Sequence, residues 1–377
     1  MKVIVVAGAR PNFMKVAPIL RALVGAGHTA ILVHTGQHFD AAMSDTFFAD
    51  LDMAQPDHHL GVGAGTHAEQ TARVMERFDT VLVAERPDWV VVVGDVNSTV
   101  AAALVTAKRR PEIGCRLAHV EAGLRSGDWR MPEEVNRVVT DQLADLLLTH
   151  SPDAAAHLVA EGIAGERIEF VGNVMIDSLF ATLKRSSGDP PWRRHGLTRG
   201  GYGLVTLHRP SNVDSPERLR VLLSGLGVVA DSLPLLWPVH PRARLGLEGL
   251  AIPARLRLTE PAGYREMAHL LEGCAVVITD SGGLQEESTA LGIPCVTLRE
   301  ATERPITVTA GTNRLVPWPA TVQGIADTVA AACQRREKTV RPVPGWDGRA
   351  AERVVDALER APIGAARCLL PLAQTAS

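Results

Sequence analysis

Short runs of consecutive apolar residues, many of them β-branched, recur along the first half of the chain. The runs are KVIVVAG (2–8), AILVHT (30–35), WVVVVGD (89–95), RLAHVEA (116–122), LLLTH (146–150) and IEFVG (168–172). Apolar residues three to four positions apart, the period of an amphipathic helix, fill the segments 13–24, 67–84 and 99–108. Uninterrupted apolar strands that alternate with helices indicate a parallel sheet covered by helices on both faces. This pattern predicts a doubly wound α/β domain.

The same alternation restarts after a segment that neither a helix nor a strand tolerates. Residues 186–201 read SSGDPPWRRHGLTRGG, and their glycines and prolines predict a surface loop near a domain boundary. Further apolar runs follow at 202–208, 234–240, 254–260, 275–280 and 294–298, with helical patterns at 216–229, 267–271 and 348–361. We expect a second doubly wound domain, with domain boundaries at 1–172 and 173–356.

Length and composition agree with two domains and exclude several classes of protein. A chain of 377 residues with 46% hydrophobic residues is too long for one average core. Its formal net charge of -3 gives no electrostatic reason to expect a nucleic-acid partner. The N-terminal sequence lacks the features of a signal peptide, and the apolar runs are too short to span a membrane. We expect a soluble, cytoplasmic protein without nucleic-acid or membrane partners.

The cysteines and glycines point away from a metal or an organic cofactor. The five cysteines are scattered and show no CxxC spacing: Cys115, Cys274, Cys295, Cys333 and Cys368. They suggest neither a disulfide framework nor a zinc site, and they fit a reducing compartment. The chain shows neither a GxGxxG fingerprint nor a Walker loop. We therefore expect a reaction that needs no cofactor and no metal.

Polar residues follow the predicted strands in both halves of the chain. They are Arg10, Gln37, His38, Asp95, Glu121, His208, His240 and the sequence DSGG at 280–283. In open parallel sheets, ligands bind beyond the carboxyl ends of the strands, where loops and helix N-termini converge. Two such domains that face each other would bring these groups to one central cleft.

Several of these residues allow two interpretations. The sequence SGG at 281–283 begins a predicted helix whose free N–H groups suit a phosphate, although an ordinary Ser-capped turn looks the same. Glu287, one turn further, is either an exposed carboxylate or a ligand of a ribose. Arg10, Lys15 and Arg304 are either surface charges or cations that bind a diphosphate.

The segment HVEAGLRSGDWRMPEEVNR (119–137) is rich in charge. Glu133 and Glu134 complement the positive end of a predicted helix, and Glu133 is spaced to pair with Arg137. That interpretation explains Glu133 without chemistry, and it leaves Glu134 with a chiefly structural role. It does not explain Glu121, which directly follows an apolar strand. A carboxylate there is either exposed at the cleft or buried with a raised pKa that suits acid–base chemistry.

The motifs resemble those of one enzyme family, in family order. Between residues 7 and 316 the chain carries GARPNFMKVAPI, TGQH, GDVNST, HVEAGLRSGD, PEEVNR, GNVMID, HRPSNVD, PVHP, TDSGGLQEE, LGIPCVTLR and TERPITVTAGTNRLV. In these sequences it resembles the non-hydrolysing UDP-N-acetylglucosamine 2-epimerases. The resemblance implies two Rossmann-like domains of the glycosyltransferase-B type, a homodimer, and a C-terminal helix at about 357–377 that packs back on the first domain. It also implies interconversion of UDP-N-acetylglucosamine and UDP-N-acetylmannosamine without an organic cofactor.

The resemblance also assigns roles to residues. The family eliminates UDP to give 2-acetamidoglucal and adds it back with inverted C2, so protons move on opposite faces of the sugar. Asp95, Glu121 and Glu133 are the implied acid–base and charge-stabilising residues, and His208 is implied to assist the departing diphosphate. The implied substrate-binding residues are Arg10, Lys15, Arg137, Ser281, Gly282, Gly283, Glu287 and Arg304.

Some features leave the exact function open. A second UDP-N-acetylglucosamine acts as an activator in many bacterial members, and its implied ligands here are Gln37, Arg209 and His240. Asn12 stands where the family commonly has Glu, and Phe39 and Asp40 differ from the usual Arg and Gln. A glycosyltransferase of the same fold, a hydrolysing epimerase that releases N-acetylmannosamine, and a binding protein without turnover are the alternatives. The three carboxylates favour the epimerase.

Overall fold

The computed structural model describes residues 1–37, 48, 50–185, 188–334 and 342–361. Within them, the first sheet is parallel and has seven strands in the order β3-β2-β1-β4-β5-β6-β7. These strands are β1 (Lys2–Ala7), β2 (Thr29–His34), β3 (His58–His59), β4 (Trp89–Val93), β5 (Arg116–Ala122), β6 (Leu146–Thr149) and β7 (Ile168–Phe170).

Helices cover both faces of this sheet. They are α1 (Arg10–Gly25), α2 (His67–Glu85), α3 (Asn97–Ile113), α4 (Pro132–Leu143) and α5 (Pro152–Ala160), with a 3-10 helix at Gly165–Arg167. Alternate residues of β1 serve opposite faces: Val3 and Val5 pack in the core that contains α1, whereas Ile4 and Val6 pack in the core that contains α2 and α3. A strand buried on both faces must be apolar throughout, which explains the uninterrupted runs in the sequence.

The second sheet repeats this plan. Its described strands are parallel, in the order β10-β9-β8-β11-β12-β13. They are β8 (Gly203–Thr206), β9 (Leu235–Pro238), β10 (Leu256–Thr259), β11 (Val276–Thr279), β12 (Cys295–Thr297) and β13 (Asn313–Leu315). The accompanying helices are α6 (Val174–Lys184), α7 (Pro191–Arg194), α8 (Pro210–Val213), α9 (Pro216–Ser232), α10 (Pro241–Leu247), α11 (Tyr264–Gly273), α12 (Gly282–Leu291), α13 (Pro305–Thr309) and α14 (Val322–Gln334).

The last described helix, α15 (Ala350–Arg360), packs against α1 and α6. Val354 and Leu358, one turn apart, lie in the same hydrophobic core as Val16 of α1. A helix that follows the second sheet therefore adds to the core of the first. Residues 362–377 lie outside the described part of the chain, and the predicted domain boundaries stay predictions.

The strand order changes direction at equivalent places in the two sheets. In the first sheet β1 lies between β2 and β4, and in the second β8 lies between β9 and β11. Ligands of doubly wound folds bind at such switch points, beyond the carboxyl ends of the strands. Two Rossmann-like domains confirm the predicted α/β fold class. In the described part of the chain, no helix has the length and apolar character that crossing a membrane requires.

Candidate active site

Glu121 is the extra residue of a β-bulge at the carboxyl end of β5. The pairing of β5 with β6 skips it, and its φ of 70° lies in the left-handed region. A residue with a β-carbon adopts that region at a cost of roughly 1–2 kcal/mol. The carboxylate is buried, forms an ion pair with Lys15 of α1, and lies 3.6 Å from Nη2 of Arg304 in the second domain. Such strain is concentrated at functional sites.

Lys15 and Glu121 meet beside Gly94, where the backbone comes close to both. A β-carbon at Gly94 would lie 3.0 Å from Nζ of Lys15 and 3.5 Å from Oε2 of Glu121. Burial lowers the pKa of Lys15 to about 8, and the charge of Asp95 only partly opposes this shift. A lysine with such a pKa exchanges its proton close to neutral pH.

Asp95 follows β4, the neighbour of β5 in the sheet. Arg137 of α4 donates to its Oδ2 from Nε at 3.0 Å and from Nη2 at 2.7 Å. Burial raises the pKa of Asp95, but the charges of Arg137, Lys15 and Arg304 outweigh it and bring the pKa below its ordinary value. Asp95 is therefore an ionised carboxylate at neutral pH.

Arg304, which precedes α13, connects the two domains. Its guanidinium lies against the N-terminus of α12. Nη1 is only 2.6 Å from the position that a β-carbon would take at Gly282. Oxygen atoms of Glu286, Glu303 and Glu121 lie 3.1, 3.5 and 3.6 Å from its nitrogens. Burial lowers the pKa of Arg304, but the charges of Glu286, Glu303 and Asp95 raise it overall, which keeps the cation charged.

The N-terminus of α12 differs from an ordinary Ser-capped turn. Ser281 stands at the cap position, but its side chain makes no capping hydrogen bond, and its N–H donates to Oγ1 of Thr279 at 2.9 Å. A β-carbon at Gly283 would lie 3.1 Å from Cε of Met175. Two glycines therefore allow Arg304 and Met175 to approach the start of this helix from two sides.

Glu287 lies one turn further along α12 and is buried. The hydroxyl of Tyr264 donates to its Oε1 at 3.1 Å. Burial raises the pKa of Glu287 to about 8, although the hydrogen bond from Tyr264 opposes the shift. At neutral pH this carboxyl group is mostly protonated, so it can donate a hydrogen bond without adding a negative charge.

His208 follows β8 and is held by the fully buried Asp280. Nδ1 of His208 lies 3.0 Å from Oδ1 of Asp280, and the N–H of Arg209 donates to Oδ2 at 2.9 Å. Burial raises the pKa of Asp280, but the contact with His208 leads the effects that lower it overall. The imidazole is 42% exposed and its ring centroid lies 5.7 Å from that of His240. A carboxylate that orients a histidine in this way fixes which ring nitrogen can exchange a proton.

The helix start at 132–137 differs from the predicted pairing. Arg137 pairs with Glu134, at 2.7 Å, and with Asp95, instead of with Glu133. Glu134 is buried and also accepts the N–H groups of Ser126 and Gly127, because the first turn of α4 directs it into the protein. Glu133 is half-buried, and among the described residues it has no hydrogen bond or ion pair.

The remaining predicted ligands have local structural contacts. Oε1 of Gln37 accepts the N–H and hydroxyl of Ser98 at 3.1 and 2.8 Å. Nδ1 of His240 caps α10 by accepting the N–H of Arg242, and Nε of Arg209 donates to the carbonyl of Asp280 at 3.3 Å. The side chain of Arg10 and residues 38–40 lie outside the described part of the structure.

Asn12 has a structural function that explains why α1 begins before the predicted position 13. Its Oδ1 accepts the N–H groups of Gly8 and Ala9, each at 3.0 Å, and its Nδ2 donates to the carbonyl of Val93 at 3.2 Å. These bonds close the first turn of the helix and attach it to β4. Both the oxygen and the nitrogen of the amide therefore bind the backbone.

Glu286 was not among the predicted residues. It is fully buried, and its Oε1 lies 3.1 Å from Nε of Arg304 and 3.6 Å from Nε2 of His150. Neither carboxylate oxygen has a hydrogen-bond partner among the described residues. Burial lowers the pKa of His150 to about 4, which leaves that ring neutral. The helical spacing of four between Gly282 and Glu286 was the available signal, because it places both on the face that meets Arg304.

No three metal-ligating side chains converge anywhere in the part of the chain that the structure covers. The expectation that the reaction needs neither a metal nor an organic cofactor stays a prediction.

Comparison with known proteins places this architecture in one family. The family described as UDP-N-acetylglucosamine 2-epimerase matches residues 22–359. The UDP-N-acetylglucosamine 2-epimerase of Methanocaldococcus jannaschii is 38% identical over 327 residues, which cover 84% of this chain and 88% of that protein. The UDP-2,3-diacetamido-2,3-dideoxy-D-glucuronate 2-epimerase of Pseudomonas aeruginosa is 40% identical over 321 residues, with coverage of 84% and 88%.

Solved structures show the same relationship. The crystal structure of the M. jannaschii enzyme in complex with UDP-GlcNAc and UDP has a TM-score of 0.83 and 36% identity, and covers 95% of this chain and 99% of that chain. A glycotransferase of kitacinnamycin, at 15% identity and a TM-score of 0.62, covers 95% of this chain and 98% of that chain, and shares the fold alone. The sequence match extends over most of the chain, and the chain therefore belongs to the UDP-N-acetylglucosamine 2-epimerase family.

Proposed function

We propose that the protein interconverts UDP-N-acetylglucosamine and UDP-N-acetylmannosamine by inversion of C2, without net hydrolysis. The name of the M. jannaschii relative and its complex with UDP-GlcNAc and UDP support this substrate. The observation that carries the proposal is the pair of carboxylates, Asp95 and Glu121, at the ends of adjacent strands and within reach of Arg304. Inversion needs separate groups for removal and return of a proton, because one group cannot reach both faces of a bound ring.

In the proposed reaction, the C2 proton is removed and the C1–O bond to UDP breaks, which gives 2-acetamidoglucal with a double bond between C1 and C2. UDP then adds back at C1 while a proton returns to the opposite face of C2, and this step completes the inversion. Asp95, Glu121 and Glu133 exchange the proton and stabilise the positive charge that develops on the ring. Lys15, buried against Glu121 with a pKa of about 8, is suited to act with that carboxylate.

The second domain holds the nucleotide in this proposal. Arg304 and the open N-terminus of α12, formed by Ser281, Gly282 and Gly283, bind the diphosphate. The protonated carboxyl group of Glu287 donates to a ribose hydroxyl. His208, which Asp280 orients, donates a proton to the departing phosphate.

A second substrate is favoured by one observation. The P. aeruginosa relative, at 40% identity, is named for UDP-2,3-diacetamido-2,3-dideoxy-D-glucuronate. Both reactions invert C2 of a UDP-sugar, so the site described above serves either of them. A competition assay in which the two UDP-sugars are present together would show which has the higher kcat/KM.

We propose a homodimer, activation by a second UDP-N-acetylglucosamine that binds to Gln37, Arg209 and His240, and a cytoplasmic location. The four cysteines in the described segments are free, which suits a reducing compartment: Cys115, Cys274, Cys295 and Cys333.

The direct test is incubation of the purified protein with UDP-N-acetylglucosamine, followed by chromatographic separation of UDP-sugars, free sugar and UDP. The proposal predicts UDP-N-acetylmannosamine as the product, with the reverse reaction reaching the same mixture. Stoichiometric UDP and free N-acetylmannosamine would identify a hydrolysing enzyme. Turnover only with an added acceptor would identify a glycosyltransferase.

A further inference from the structure

A fully buried ion pair lies beneath the two turns that carry Asp95 and Glu121. Nδ1 of His119 lies 2.6 Å from Oδ1 of Asp141, and Nε2 of His119 lies 2.8 Å from the carbonyl oxygen of Gly94. The second oxygen of Asp141 accepts the N–H of Gly123 at 3.1 Å. Both side chains have no exposed surface. The pair therefore contacts the backbone of both turns from inside the protein.

Both turns contain left-handed backbone conformations, which glycine adopts readily and a residue with a β-carbon adopts only at a cost. Gly94, directly before Asp95, has a φ of 65°, and Gly123, two residues after Glu121, has a φ of 81°. Glu121 itself has a φ of 70°. Sparsely populated conformations persist where the surrounding contacts determine them. Here His119 fixes the carbonyl group of one turn and Asp141 fixes the amide group of the other.

The chemistry of the pair suits a rigid support. Both partners of His119 are hydrogen-bond acceptors, a carboxylate and a carbonyl, and an imidazole with two N–H donors satisfies both. Burial raises the pKa of Asp141, but His119 and Arg125 lower it overall, so the carboxylate stays ionised. Nη2 of Arg125 lies 2.8 Å from Oδ2 of Asp141. A buried charge pair that is completely hydrogen-bonded favours one arrangement over alternatives.

We propose that His119 and Asp141 are positioning residues for the epimerisation. They act through the peptide groups of Gly94 and Gly123 to aim Asp95 and Glu121. The inference rests on the proposed function, because it assumes that these two carboxylates carry the proton transfer. A displacement of about 1 Å at such a group costs on the order of a hundredfold in rate.

Two substitutions of His119 separate the two hydrogen bonds. The amide nitrogen of Gln takes the place of Nε2 and keeps the bond to Gly94, whereas that of Asn takes the place of Nδ1 and keeps only the bond to Asp141. We expect the kcat of His119→Asn to be at least about tenfold below that of His119→Gln, with UDP affinity within about twofold in both, because UDP is assigned to the second domain. Initial rates and calorimetric titration with UDP measure these two quantities.

Asp145 offers a matched control at the opposite end of β5. It accepts the N–H of Leu117 at 2.9 Å and pairs with Arg110 at 2.7 Å, which repeats the contacts of Asp141 away from the site. Asp145→Asn should lower Tm and keep kcat within about twofold of the wild type. If Asp141→Asn and Asp145→Asn lose kcat equally, the pair is only structural and the positioning role is wrong.

The rates of the His119 variants and of the wild type also test the positioning role. Equal kcat for His119→Asn and His119→Gln would overturn the role of the Gly94 contact. If neither variant folds, Asp141→Asn, which keeps the shape of the side chain, replaces them: a kcat loss beyond that of Asp145→Asn, with UDP affinity retained, supports the proposal. A wild-type protein that binds UDP but inverts neither UDP-sugar would overturn the proposed function and the inference together, whereas an active wild type with equal variants overturns the inference alone.

Discussion

At the residue scale, three carboxylates of the site contact a neighbouring cation. The pairs are Asp95 with Arg137, Glu121 with Lys15, and Glu286 with Arg304. Buried ion pairs contribute little stability, since the cost of desolvation offsets their attraction. The positions of Asp95 and Glu121 at the ends of adjacent strands are therefore better explained by chemistry than by stability.

The carboxylates should control the rate of the chemical step. Asp95→Asn, Glu121→Gln and Glu133→Gln keep size and remove the charge, and each should lower kcat by about a hundredfold or more. The protein should stay folded, because the neighbouring Lys15, with a pKa of about 8, can lose its charge when Glu121 is neutralised. Initial rates with saturating substrate and thermal melting measure both effects.

Glu134 provides the control on the same helix. Because it accepts the N–H groups of Ser126 and Gly127 and the guanidinium of Arg137, Glu134→Gln should cost about 1–3 kcal/mol of stability and little activity. Equal small losses of kcat for Glu121→Gln, Glu133→Gln and Glu134→Gln would show that residues 119–137 are only a charged helix start.

The raised pKa of Glu287 predicts a pH dependence of stability. Its pKa rises from 4.5 in the unfolded chain to about 8 in the folded protein. The stability that its neutral form contributes is complete below pH 4.5 and is lost as the pH rises through about 8. Glu287→Gln, which stays neutral, should therefore lose less Tm than the wild type across this window. Parallel melting curves for the two proteins would contradict the assignment.

At the scale of elements, the turn after β4 combines a required backbone conformation with close packing. Gly94 has a φ of 65° and lies against Lys15. Gly114, at the end of α3, has a φ of 78°, and no described atom lies within 4 Å of the position that a β-carbon would take there. The two glycines therefore separate backbone strain from crowding of the site.

Alanine substitutions should show this separation. Gly94→Ala and Gly114→Ala should each cost roughly 1 kcal/mol or more of stability, since both force a β-carbon into the left-handed region. Only Gly94→Ala should also lower kcat, by about tenfold or more, because it displaces Lys15 and Glu121. An unchanged kcat for Gly94→Ala would mean that the contact between Lys15 and Glu121 is not needed for turnover.

The sequence predicted elements well where a strand or helix has a strong pattern. The buried strands β1, β4 and β5 read as continuous apolar runs, and polar residues at their carboxyl ends, such as Asp95 and Glu121, follow from this topology. The two-residue strand β3 is too short to produce a pattern. The β-bulge at Glu121 and the pairing of Arg137 with Glu134 depend on contacts between distant segments. The spacing of residues in the sequence does not reveal such contacts.

At the scale of the whole molecule, Arg304 connects the two domains. Its contacts with Glu286 and Glu121 lie on opposite sides of the cleft. Under the proposed function, substrate that binds between the domains meets a cation that both of them contact.

Loss of this cation should weaken binding more than chemistry. Arg304→Ala should raise KM by about tenfold or more with a smaller change in kcat, because a group that binds UDP in ground and transition states contributes uniform binding. Arg299→Ala is the control, since Arg299 pairs with Glu303 in the same loop at 2.6 Å without a contact to Glu121. An unchanged KM together with abolished kcat would reverse the proposed division of roles.

Turnover in deuterated water tests directly whether the enzyme inverts C2 by breaking and re-forming the bond between C2 and its hydrogen. The purified protein is incubated with UDP-N-acetylglucosamine, and the recovered UDP-sugars are examined by NMR at C1 and C2. This mechanism predicts deuterium at C2 of UDP-N-acetylmannosamine and, through the reverse reaction, at C2 of the remaining substrate. Inverted product that retains its original C2 hydrogen would contradict it.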